Sequence, residues 1–458
     1  MNLSVIILAA GEGKRMRSRL PKVLHELGNQ PLLAHVISTA RRLQARDIHV
    51  VYGHGGDQVK TRLGDTPVSW VEQENRCGTG HAVAQALPGI AADDIVLVLY
   101  GDVPLIQAGT LQQLTAFAAE GNLAVLTVEL ADPAGYGRIV RDDRGNVVRI
   151  VEEKDAGDVE RGIREVNTGI LAMRCERLKE WVDRLDNSNA QRELYLTDVI
   201  AMAVRDGVAV TTASPGATFE VLGVNDKLQL AALERHYQKM QAEKLMKDGV
   251  TLRDPARFDV RGELMHGNDV VIDVNVIIEG KVILGNNIKI GPNVYLRDTE
   301  IGDGVEVLPN CVIEEAVIGN GCRIGPFARI RPETRLANDV HVGNFVEIKK
   351  SDVADGSKIN HLSYVGDTTM GARVNIGAGT ITCNYDGANK YRTIIGDEVF
   401  VGSDSQLVAP VRIGDGATIG AGSTITRDAP AGELTLSRAP QQTHPGWKRP
   451  TRKRRFED

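Results

Sequence analysis

The stretch IIGDEVFVGSDSQLVAPVRIGDGATIGAGSTI, residues 394–425, decides the fold of the second half of this chain. An aliphatic residue occupies every sixth position, and the series comprises Ile395, Val401, Leu407, Ile413, Ile419 and Ile425. The same spacing runs upstream from Leu284 to Ile376, with most joins between runs shortened to five residues. Three hexads then make one turn of about 17 or 18 residues with three flat faces, and the aliphatic side chains point inward. The pattern predicts a parallel β-helix of about eight coils, about 40 Å tall at the ~4.8 Å spacing of neighbouring strands.

The composition of the 458-residue chain narrows its class. A chain of this length exceeds what one core usually supports, so we expect two or more domains. The net charge of -6 gives no general attraction to nucleic acid or to an anionic membrane surface. No stretch reaches about 18 apolar residues, and the first apolar run lacks a basic leader, which predicts a protein without membrane insertion.

The cysteines and the basic tail bear on the surroundings of the protein. The five cysteines show no CxxC pair and no histidine at zinc spacing, which indicates free thiols and a cytoplasmic protein in a reducing compartment. For the tail, a solvated and mobile terminus is the favoured interpretation, and contact with an anionic ligand or a neighbouring subunit is the alternative. Its cations are Lys448, Arg449, Arg452, Lys453, Arg454 and Arg455.

The apolar pattern divides the chain into three parts. Residues 1–227 alternate short apolar runs with amphipathic stretches, which is typical of a mostly parallel, Rossmann-like α/β sheet. Residues 228–248 carry apolar side chains near helical spacing, so they predict a linker helix about 30 Å long at ~1.5 Å per residue. Residues 249–458 would form the β-helix and the tail.

The first apolar run ends in a glycine-containing loop, LAAGEGKRM, residues 8–16. Gly11 and Gly13 follow the predicted strand, where glycines allow backbone N–H groups to close on a phosphate. The spacing fits neither a Walker A loop, since position 8 is leucine, nor a dinucleotide fingerprint, since position 16 is methionine. Arg15 and Lys22 could neutralise a polyphosphate, although a surface role is the default for either cation alone.

A carboxylate follows the apolar run IVLVLY, residues 95–100. Asp102 falls at the carboxyl end of this predicted strand, where open α/β sheets bind their ligands. An isolated aspartate there is as often a helix cap. Beside a phosphate loop, Asp102 becomes a candidate ligand for Mg²⁺, which takes oxygen donors and shares its shell with substrate phosphates.

Polar side chains are dense in the middle of the hexad region. A β-helix has no room for them in its core, so they must lie on its faces or in loops, and successive coils stack such positions. The segment TCNYDGANKYRT, residues 382–393, interrupts the hexads as a loop of the kind that is usually functional. A lone histidine is more often structural, but His361 has two cations, a phenol and an amide nearby in sequence. The cluster comprises Arg331, Lys349, His361, Tyr364, Asn375 and Lys390.

These residues carry a resemblance to sugar-1-phosphate nucleotidyltransferases. The matching motifs are LAAGEGKRM, Pro21-Lys22, Gly78-Thr79-Gly80, Tyr100-Gly101-Asp102, Gly135-Tyr136-Gly137-Arg138, Glu152, Asn167-Thr168-Gly169 and Gly223-Val224-Asn225. With the hexads, the whole chain resembles the bacterial family of bifunctional N-acetylglucosamine-1-phosphate uridylyltransferases and glucosamine-1-phosphate acetyltransferases. The resemblance implies a left-handed β-helix and the synthesis of UDP-N-acetylglucosamine for cell-envelope polymers.

The resemblance also implies roles for residues of the N-terminal part. Asp102 and Asn225 would bind Mg²⁺, and Arg15 and Lys22 would neutralise charge during the transfer of UMP from UTP. The family usually has threonine where this chain has Lys14, which adds charge beside the phosphate loop. The residues expected to bind UTP and UDP-N-acetylglucosamine are Leu8, Ala9, Ala10, Gly11, Lys22, Gln73, Gly78 and Thr79 for the nucleotide, and Gly137, Glu152 and Asn167 for the sugar. Tyr100, Gly101, Asp102 and Asn225 belong to the same set.

For the C-terminal part, the resemblance implies an acetyltransferase site at the surface of the β-helix. His361 would take a proton from the amine of glucosamine 1-phosphate, and the amine would attack the thioester of acetyl-CoA. The family assembles as homotrimers with active sites between subunits, consistent with a three-sided prism. Residues expected to bind glucosamine 1-phosphate are Arg331, Lys349, Tyr364, Asn375 and Lys390, and those expected to bind acetyl-CoA are Ala378, Asn384, Tyr385, Ser403, Ala421 and Arg438.

Two other functions compete with this interpretation. A monofunctional sugar nucleotidyltransferase would use its β-helix only for assembly or regulation, and it would have no reason to carry Lys349, His361, Tyr364 and Asn384. A non-catalytic scaffold, of the kind found in translation-factor exchange subunits, should have lost Lys22 or Asp102. Since these residues are present, the bifunctional interpretation is favoured.

Overall fold

The structure is a computed structural model that describes residues 2–452. Two compact units are distinguished, Met1–Gln241 and Ala242–Asp458, and the border falls inside the helix Lys227–Lys247. Within the described residues, none of the helices combines the length and the apolar character needed to cross a membrane. In the basic tail, Lys448, Arg449 and Arg452 are exposed, whereas Lys453, Arg454 and Arg455 lie outside the described residues.

The first unit is built on a nine-stranded mixed sheet. Strands Leu3–Ala9 and Ile95–Tyr100 lie in its centre because they are apolar on both faces and buried by helices. The predicted mostly parallel sheet is confirmed, with one central strand, Glu165–Arg174, antiparallel to both neighbours. The spatial order is Val210–Ala213, Leu123–Glu129, Glu165–Arg174, Ile95–Tyr100, Leu3–Ala9, Asp47–Tyr52 and Ser69–Glu72, with Arg138–Arg141 and Val147–Val151 attached beside Glu165–Arg174.

Helices cover this sheet on both sides and enclose two apolar cores. The α-helices are Leu32–Arg42, Gly56–Leu63, Thr79–Ala86, Ala108–Ala119, Asp158–Arg161, Cys175–Val182 and Asp198–Arg205. Short 3₁₀ turns and one small hairpin complete the unit, namely Lys14–Met16, Lys22–Leu24, Leu87–Gly89 and Thr218–Val221, with Glu26–Leu27 paired to Gln30–Pro31. The parallel register of the two central strands matters for function. It places Leu8 opposite Tyr100 and brings both following loops to one edge of the sheet.

The second unit is a parallel β-helix, as the hexads predicted. The ladder residues are buried, and the register stacks each on the next, as Ile376 on Val401 and Val401 on Ile419. The sheet on one face has eleven strands: Thr251–Leu252, Val271–Ile272, Lys289–Ile290, Glu306–Val307, Arg323–Ile324, His341–Asn344, Lys358–His361, Asn375–Ile376, Phe400–Val401, Thr418–Ile419 and Leu434–Thr435. We refer to it below as the first face.

A seventeen-stranded sheet makes up the rest of the β-helix. Its strands are Phe258–His266, Val276–Leu284, Tyr295–Arg297, Glu300–Ile301, Val312–Glu314, Ala316–Ile318, Arg329–Ile330, Thr334–Leu336, Glu347–Lys349, Asp352–Val353, Tyr364–Gly366, Thr368–Met370, Ile381–Cys383, Thr393–Ile395, Gln406–Val408, Val411–Ile413 and Thr424–Ile425. The stack is longer than the eight coils expected. The additional coils lie at the N-terminal end of the β-helix. There the nine-residue strands Phe258–His266 and Val276–Leu284 obscure the hexad spacing in the sequence. A short 3₁₀ turn, Pro255–Arg257, precedes them.

Candidate functional sites

The phosphate loop of the first unit is shaped around Lys22. Gly13 adopts a left-handed conformation, with φ of 64°. A Cβ atom at this position would lie 2.7 Å from the Cβ of Lys22, so only glycine lets the lysine stem pack against the loop. Both residues therefore belong to one local structure, which presents a cation to the carboxyl edge of the sheet.

The ammonium of Lys22 contacts two oxygens from distant parts of the chain. Nζ donates to Oδ2 of Asp102 and, at 3.2 Å, to Oδ1 of Asn225. The side chains of Lys22 and Asp102 are 14% and 15% exposed, so the ion pair is largely shielded from solvent. The backbone N–H of Val224 donates to the carbonyl of Asp102 at 2.9 Å, which fixes the segment carrying Asn225 beside the aspartate.

Asp102 and Asn225 lie close enough together to bind one divalent ion between them. Both groups offer oxygen, which is the ligand that Mg²⁺ prefers, and they already gather one cation, the ammonium of Lys22. Among residues 2–452 there is no cluster of three or more histidine, cysteine or acidic side chains suited to a metal. A site with two protein ligands still suits Mg²⁺, which keeps several waters and binds substrate phosphates. The donor set therefore fits the ion.

A cavity of about 610 Å³ opens beside this ion pair. It brings together ten of the residues predicted to bind UTP and UDP-N-acetylglucosamine, namely Leu8, Ala9, Ala10, Gly11, Lys22, Gln73, Gly78, Thr79, Tyr100 and Asp102. Gly101 does not line the cavity. Its N–H donates to the carbonyl of the lining residue Leu8 at 2.9 Å. At the far side, Nε2 of Gln73 donates to the carbonyl of Gly78 at 3.2 Å. The volume is within the range typical of small-molecule sites.

The residues predicted to hold the sugar form a second group next to Tyr100. The backbone N–H of Asn167 donates to the carbonyl of Gly137 at 2.8 Å, and Oγ1 of Thr197 donates to Oε1 of Glu152 at 3.0 Å. Burial raises the pKa of the Glu152 carboxyl above its usual range. Burial also raises the pKa of the Tyr100 phenol, and the charges of Glu152 and Asp102 add to this effect. Tyr100 thus lies between the sugar group and the nucleotide cavity.

The two cations of the phosphate loop differ from Lys22 in exposure. Lys14 is 79% exposed and pairs with Oε2 of Glu12 at 3.2 Å, so its extra charge is matched within the loop. Arg15 is also exposed and does not line the nucleotide cavity. It lies near Tyr136. Burial and the charge of Asp102 raise the pKa of the Tyr136 phenol, and the positive charge of Arg15 partly offsets this rise. Arg15 is therefore close enough to Tyr136 to act on its phenol electrostatically.

Several lining residues were not anticipated from sequence. Arg76 and Glu12 both line the cavity and form an ion pair at 3.2 Å. No local sequence pattern predicts that either residue belongs to the site. At the predicted residue Gly78, φ is 105° and a Cβ atom would lie 2.5 Å from the carbonyl oxygen of Leu194. The backbone beside Glu193 therefore packs against Gly78. The additional lining residues are Glu12, Val23, Arg76, Ala82 and Glu193.

In the β-helix, His361 lies at the end of a first-face strand. It is in register with Asn344 of the preceding coil, and Nδ1 lies 3.0 Å from Oδ1 of Asn344. An Nδ1–H group that donates to this amide oxygen leaves Nε2 with a free lone pair. His361 also borders a cleft of about 370 Å³, lined by Leu308, Arg323, Gly325, Pro326, His341, Val342, Gly343, Asn344, Asn360 and His361. Asn344 was not among the predicted residues.

The predicted phosphate-binding cations lie on the neighbouring face. Nη1 of Arg331 donates to Oε1 of Glu347 at 2.7 Å, and Glu347 is in register with Tyr364. Lys349 pairs with Gly366 two positions further along the same two strands. Arg331, Lys349 and Tyr364 are thus neighbours in the stack. Asn375 lies on the first face, on the strand that follows that of His361.

Lys390 lies in the loop that interrupts the hexads. It is exposed and forms an antiparallel bridge with Tyr385. In the same loop, the phenol of Tyr385 donates to the carbonyl of Gly387 at 2.6 Å. Asn384 is buried, and its Nδ2 donates to Oδ2 of Asp367. The amide of Asn384 therefore anchors the loop to the β-helix.

Three of the predicted acetyl-CoA residues stack along one corner of the β-helix. The carbonyl of Ala378 accepts from the N–H of Asp404 at 2.7 Å, and the carbonyl of Ser403 accepts from Gly422 at 2.8 Å. The carbonyl of Ala421 accepts from Nη1 of Arg438 at 2.7 Å. One coil earlier, the carbonyl of His361 accepts from Gly379 at 3.2 Å. A hydrogen-bonded column therefore runs from His361 to Arg438 and can line an elongated ligand.

Three segments of the chain match known protein families. Residues 5–159 match the MobA-like NTP transferase domain, residues 260–346 match the GMPPB C-terminal domain, and residues 392–427 match the bacterial transferase hexapeptide (six repeats). Among solved structures, a UDP-glucose pyrophosphorylase complexed with UDP-glucose is similar with a TM-score of 0.44 and 16% identity, covering 52% of this chain and 100% of its own.

Similar full-length proteins carry the family assignment. The bifunctional protein GlmU of Methylococcus capsulatus is 61% identical over 456 residues, 99% of each chain. GlmU of Aromatoleum aromaticum is 59% identical over 452 residues, again 99% of each chain. These relatives are bifunctional, which excludes the monofunctional and scaffold alternatives. At this identity over nearly the whole length, the chain belongs to the GlmU family of bifunctional enzymes, which join a nucleotidyltransferase unit to a hexapeptide-repeat acetyltransferase unit.

Proposed function

We propose that the cavity of the first unit and the surface of the β-helix around His361 are two active sites, and that they work in sequence. The β-helix acetylates glucosamine 1-phosphate with acetyl-CoA, and the first unit then transfers UMP from UTP to N-acetylglucosamine 1-phosphate. The product is UDP-N-acetylglucosamine, a precursor of peptidoglycan and lipopolysaccharide. The observation that carries this assignment is that ten residues predicted to bind UTP and UDP-N-acetylglucosamine line one cavity of about 610 Å³.

In the first unit, uridylyl transfer needs positioning and charge neutralisation more than a protein nucleophile. A phosphate oxygen of N-acetylglucosamine 1-phosphate attacks the α-phosphorus of UTP in line, and the bond to pyrophosphate breaks. Gln73, Gly78 and Thr79 hold the uracil, while Glu152, Asn167 and Gly137 hold the sugar. Lys22 and Arg15 offset the negative charge on the phosphates. The largely shielded position of Lys22 strengthens this interaction.

We propose Mg²⁺ as the divalent ion of this family in the present chain, held by Oδ2 of Asp102 and Oδ1 of Asn225. When bound, the ion supplies positive charge that polarises the phosphoryl oxygens and steadies the transferring group. The ammonium of Lys22 between the same two oxygens supports the choice of a cation site.

In the β-helix, we propose His361 as the general base. Its Nε2 takes a proton from the amine of glucosamine 1-phosphate as the amine nitrogen attacks the thioester carbonyl. The carbon–sulfur bond then breaks, and the CoA sulfur takes the proton from His361 and leaves as the thiol. Asn344 orients the ring through Nδ1, at 3.0 Å. Arg331 and Lys349 bind the sugar phosphate, with Lys390, Tyr364 and Asn375 completing the pocket. The corner column of Ala378, Ser403 and Ala421 lines acetyl-CoA with Asn384, Tyr385 and Arg438.

We also propose that three chains assemble through the β-helix and complete the acetyltransferase sites between subunits. The three flat faces of the β-helix support this, because a three-sided prism suits a closed three-fold arrangement. A cytoplasmic location is proposed because all five cysteines are unpaired, which suits a reducing compartment.

A single assay with paired variants tests these assignments. The full chain is given glucosamine 1-phosphate, acetyl-CoA, UTP and Mg²⁺, and released CoA and pyrophosphate are followed separately. Asp102→Ala should abolish pyrophosphate release and leave CoA release intact. His361→Ala should reduce CoA release by about 10²–10⁴-fold, the usual contribution of a positioned base, while uridylylation of supplied N-acetylglucosamine 1-phosphate continues. Loss of both activities in either variant would contradict separate sites.

A further inference from the structure

The ammonium group of Lys22 sits between the two oxygens assigned to the divalent ion. It donates to Oδ2 of Asp102 and to Oδ1 of Asn225, the latter at 3.2 Å. A divalent ion and an ammonium cannot occupy these oxygens together. The two positive charges repel each other, and both cations need the same oxygen lone pairs. The side chains are only 14% and 15% exposed, so solvent screens this competition weakly.

We propose that Lys22 is a displaceable placeholder for the divalent ion. Without nucleotide, its ammonium holds Asp102 and Asn225 together and opposes ion binding. When nucleotide and ion enter, the ammonium leaves these oxygens and binds the phosphates. The inference rests on the metal site of the proposed function and adds an order to it: the ion binds well only together with the nucleotide.

The surroundings of Lys22 allow such a movement. The base of its side chain is packed against Gly13 of the phosphate loop, where even a Cβ atom would approach to 2.7 Å. Its ammonium contacts Asp102, and both residues line the cavity that Gly11 also lines. A flexible four-carbon stem lets the ammonium swing from the carboxylate toward the loop while the backbone stays in place. The phosphates would lie on that loop.

Two consequences follow from the exchange. The free protein should bind a divalent ion weakly, because the ion must first displace an ammonium from a shielded carboxylate. The nucleotide and the ion should each raise the affinity of the other, since a coupling between two binding sites is reciprocal. A lysine whose ammonium lay away from these two oxygens would oppose the ion much less, because repulsion between the charges falls with distance.

The test measures Mn²⁺ binding to the full-length protein without nucleotide, by electron paramagnetic resonance of the free ion. Lys22→Met keeps an unbranched stem and removes the charge, and it should bind Mn²⁺ at least about tenfold tighter than the unchanged protein, equivalent to about 1.4 kcal/mol. Lys14→Met is the matched control, because it removes the same charge from a side chain that is 79% exposed and paired with Glu12. It should leave the affinity within about twofold, as expected for an exposed charge.

Further variants separate the placeholder from the site itself. Lys22→Arg keeps a positive charge and should bind Mn²⁺ as weakly as the unchanged protein. Asp102→Asn, combined with Lys22→Met, should abolish the gain. If Lys22→Met binds no tighter while Asp102→Asn still weakens binding, the placeholder is overturned and the metal site stands. If Asp102→Asn has no effect in either background, both the metal assignment and the placeholder fail. Unfolding curves establish that each variant is folded.

Discussion

Replacement of Gly343 by alanine should disable the acetyltransferase while sparing the other activity. Gly343 lies in the strand His341–Asn344, next to the residue that contacts His361. A Cβ atom there would lie 1.9 Å from the carbonyl oxygen of Asn360 and 2.7 Å from its Cα. Ordinary C···O contacts are about 3.3 Å or longer, so the neighbouring coil must move by more than about 1 Å.

The size of the effect follows from which atoms must move. The clash is with backbone that belongs to the β-helix ladder and precedes His361 directly, so no side-chain rotation relieves it. Overpacking of this kind typically costs about 1–3 kcal/mol. Misplacement of a catalytic group by about 1 Å can reduce the rate about 10²-fold. We therefore expect a lower unfolding temperature for the β-helix and a loss of acetylation of that order.

The assay is calorimetry of the full chain together with separate measurement of CoA and pyrophosphate release. Gly109→Ala serves as the control, because a Cβ atom there has no neighbour within 4 Å and the position is in the helix Ala108–Ala119. It should be neutral or stabilise by up to about 1 kcal/mol. The reasoning would be refuted if Gly343→Ala kept at least half of its acetylation rate with an unchanged unfolding temperature.

Three further outcomes are expected. Asn344→Ala should lower kcat for acetylation by about fivefold to tenfold with little change in KM, since the lost hydrogen bond contributes about 1 kcal/mol to ring orientation; an unchanged kcat would remove Asn344 from the site. A fragment of residues 242–458 should form a trimer and acetylate, because Ala242 and Leu245 pack in the β-helix core; sedimentation of a fully active monomer would contradict sites between subunits. In the proposed site, the ionised carboxylate of Glu152 accepts hydrogen bonds from the sugar, and burial raises its pKa. The value of kcat/KM for uridylylation should therefore fall with decreasing pH at a higher pH than an ordinary glutamate gives. Glu152→Gln should remove that dependence, and an unaltered pH profile would exclude Glu152 as its source.

The sequence alone determined the β-helix of the second unit. It also revealed which residues of the first unit have the chemistry to bind a phosphate and a cation. The hexads suffice because each coil repeats one short-range rule, with an aliphatic residue inward on every face, so no long-range contact has to be known. The phosphate loop and Asp102 were likewise visible, because both directly follow strongly apolar strands. The count of coils was underestimated where the strand Phe258–His266 hides the period.

Only the tertiary structure decided how distant residues meet. Lys22 reaches Asp102 across 80 residues and Asn225 across 203, and the pairing depends on which strands neighbour each other in the sheet. The contact between Asn344 and His361 needs the register of two coils, which a loop insertion or a shortened hexad can shift. Local patterns reveal which side chains have suitable chemistry. Their partners are fixed by the packing of elements that lie far apart in the chain, and a periodic sequence does not encode that packing at any single position.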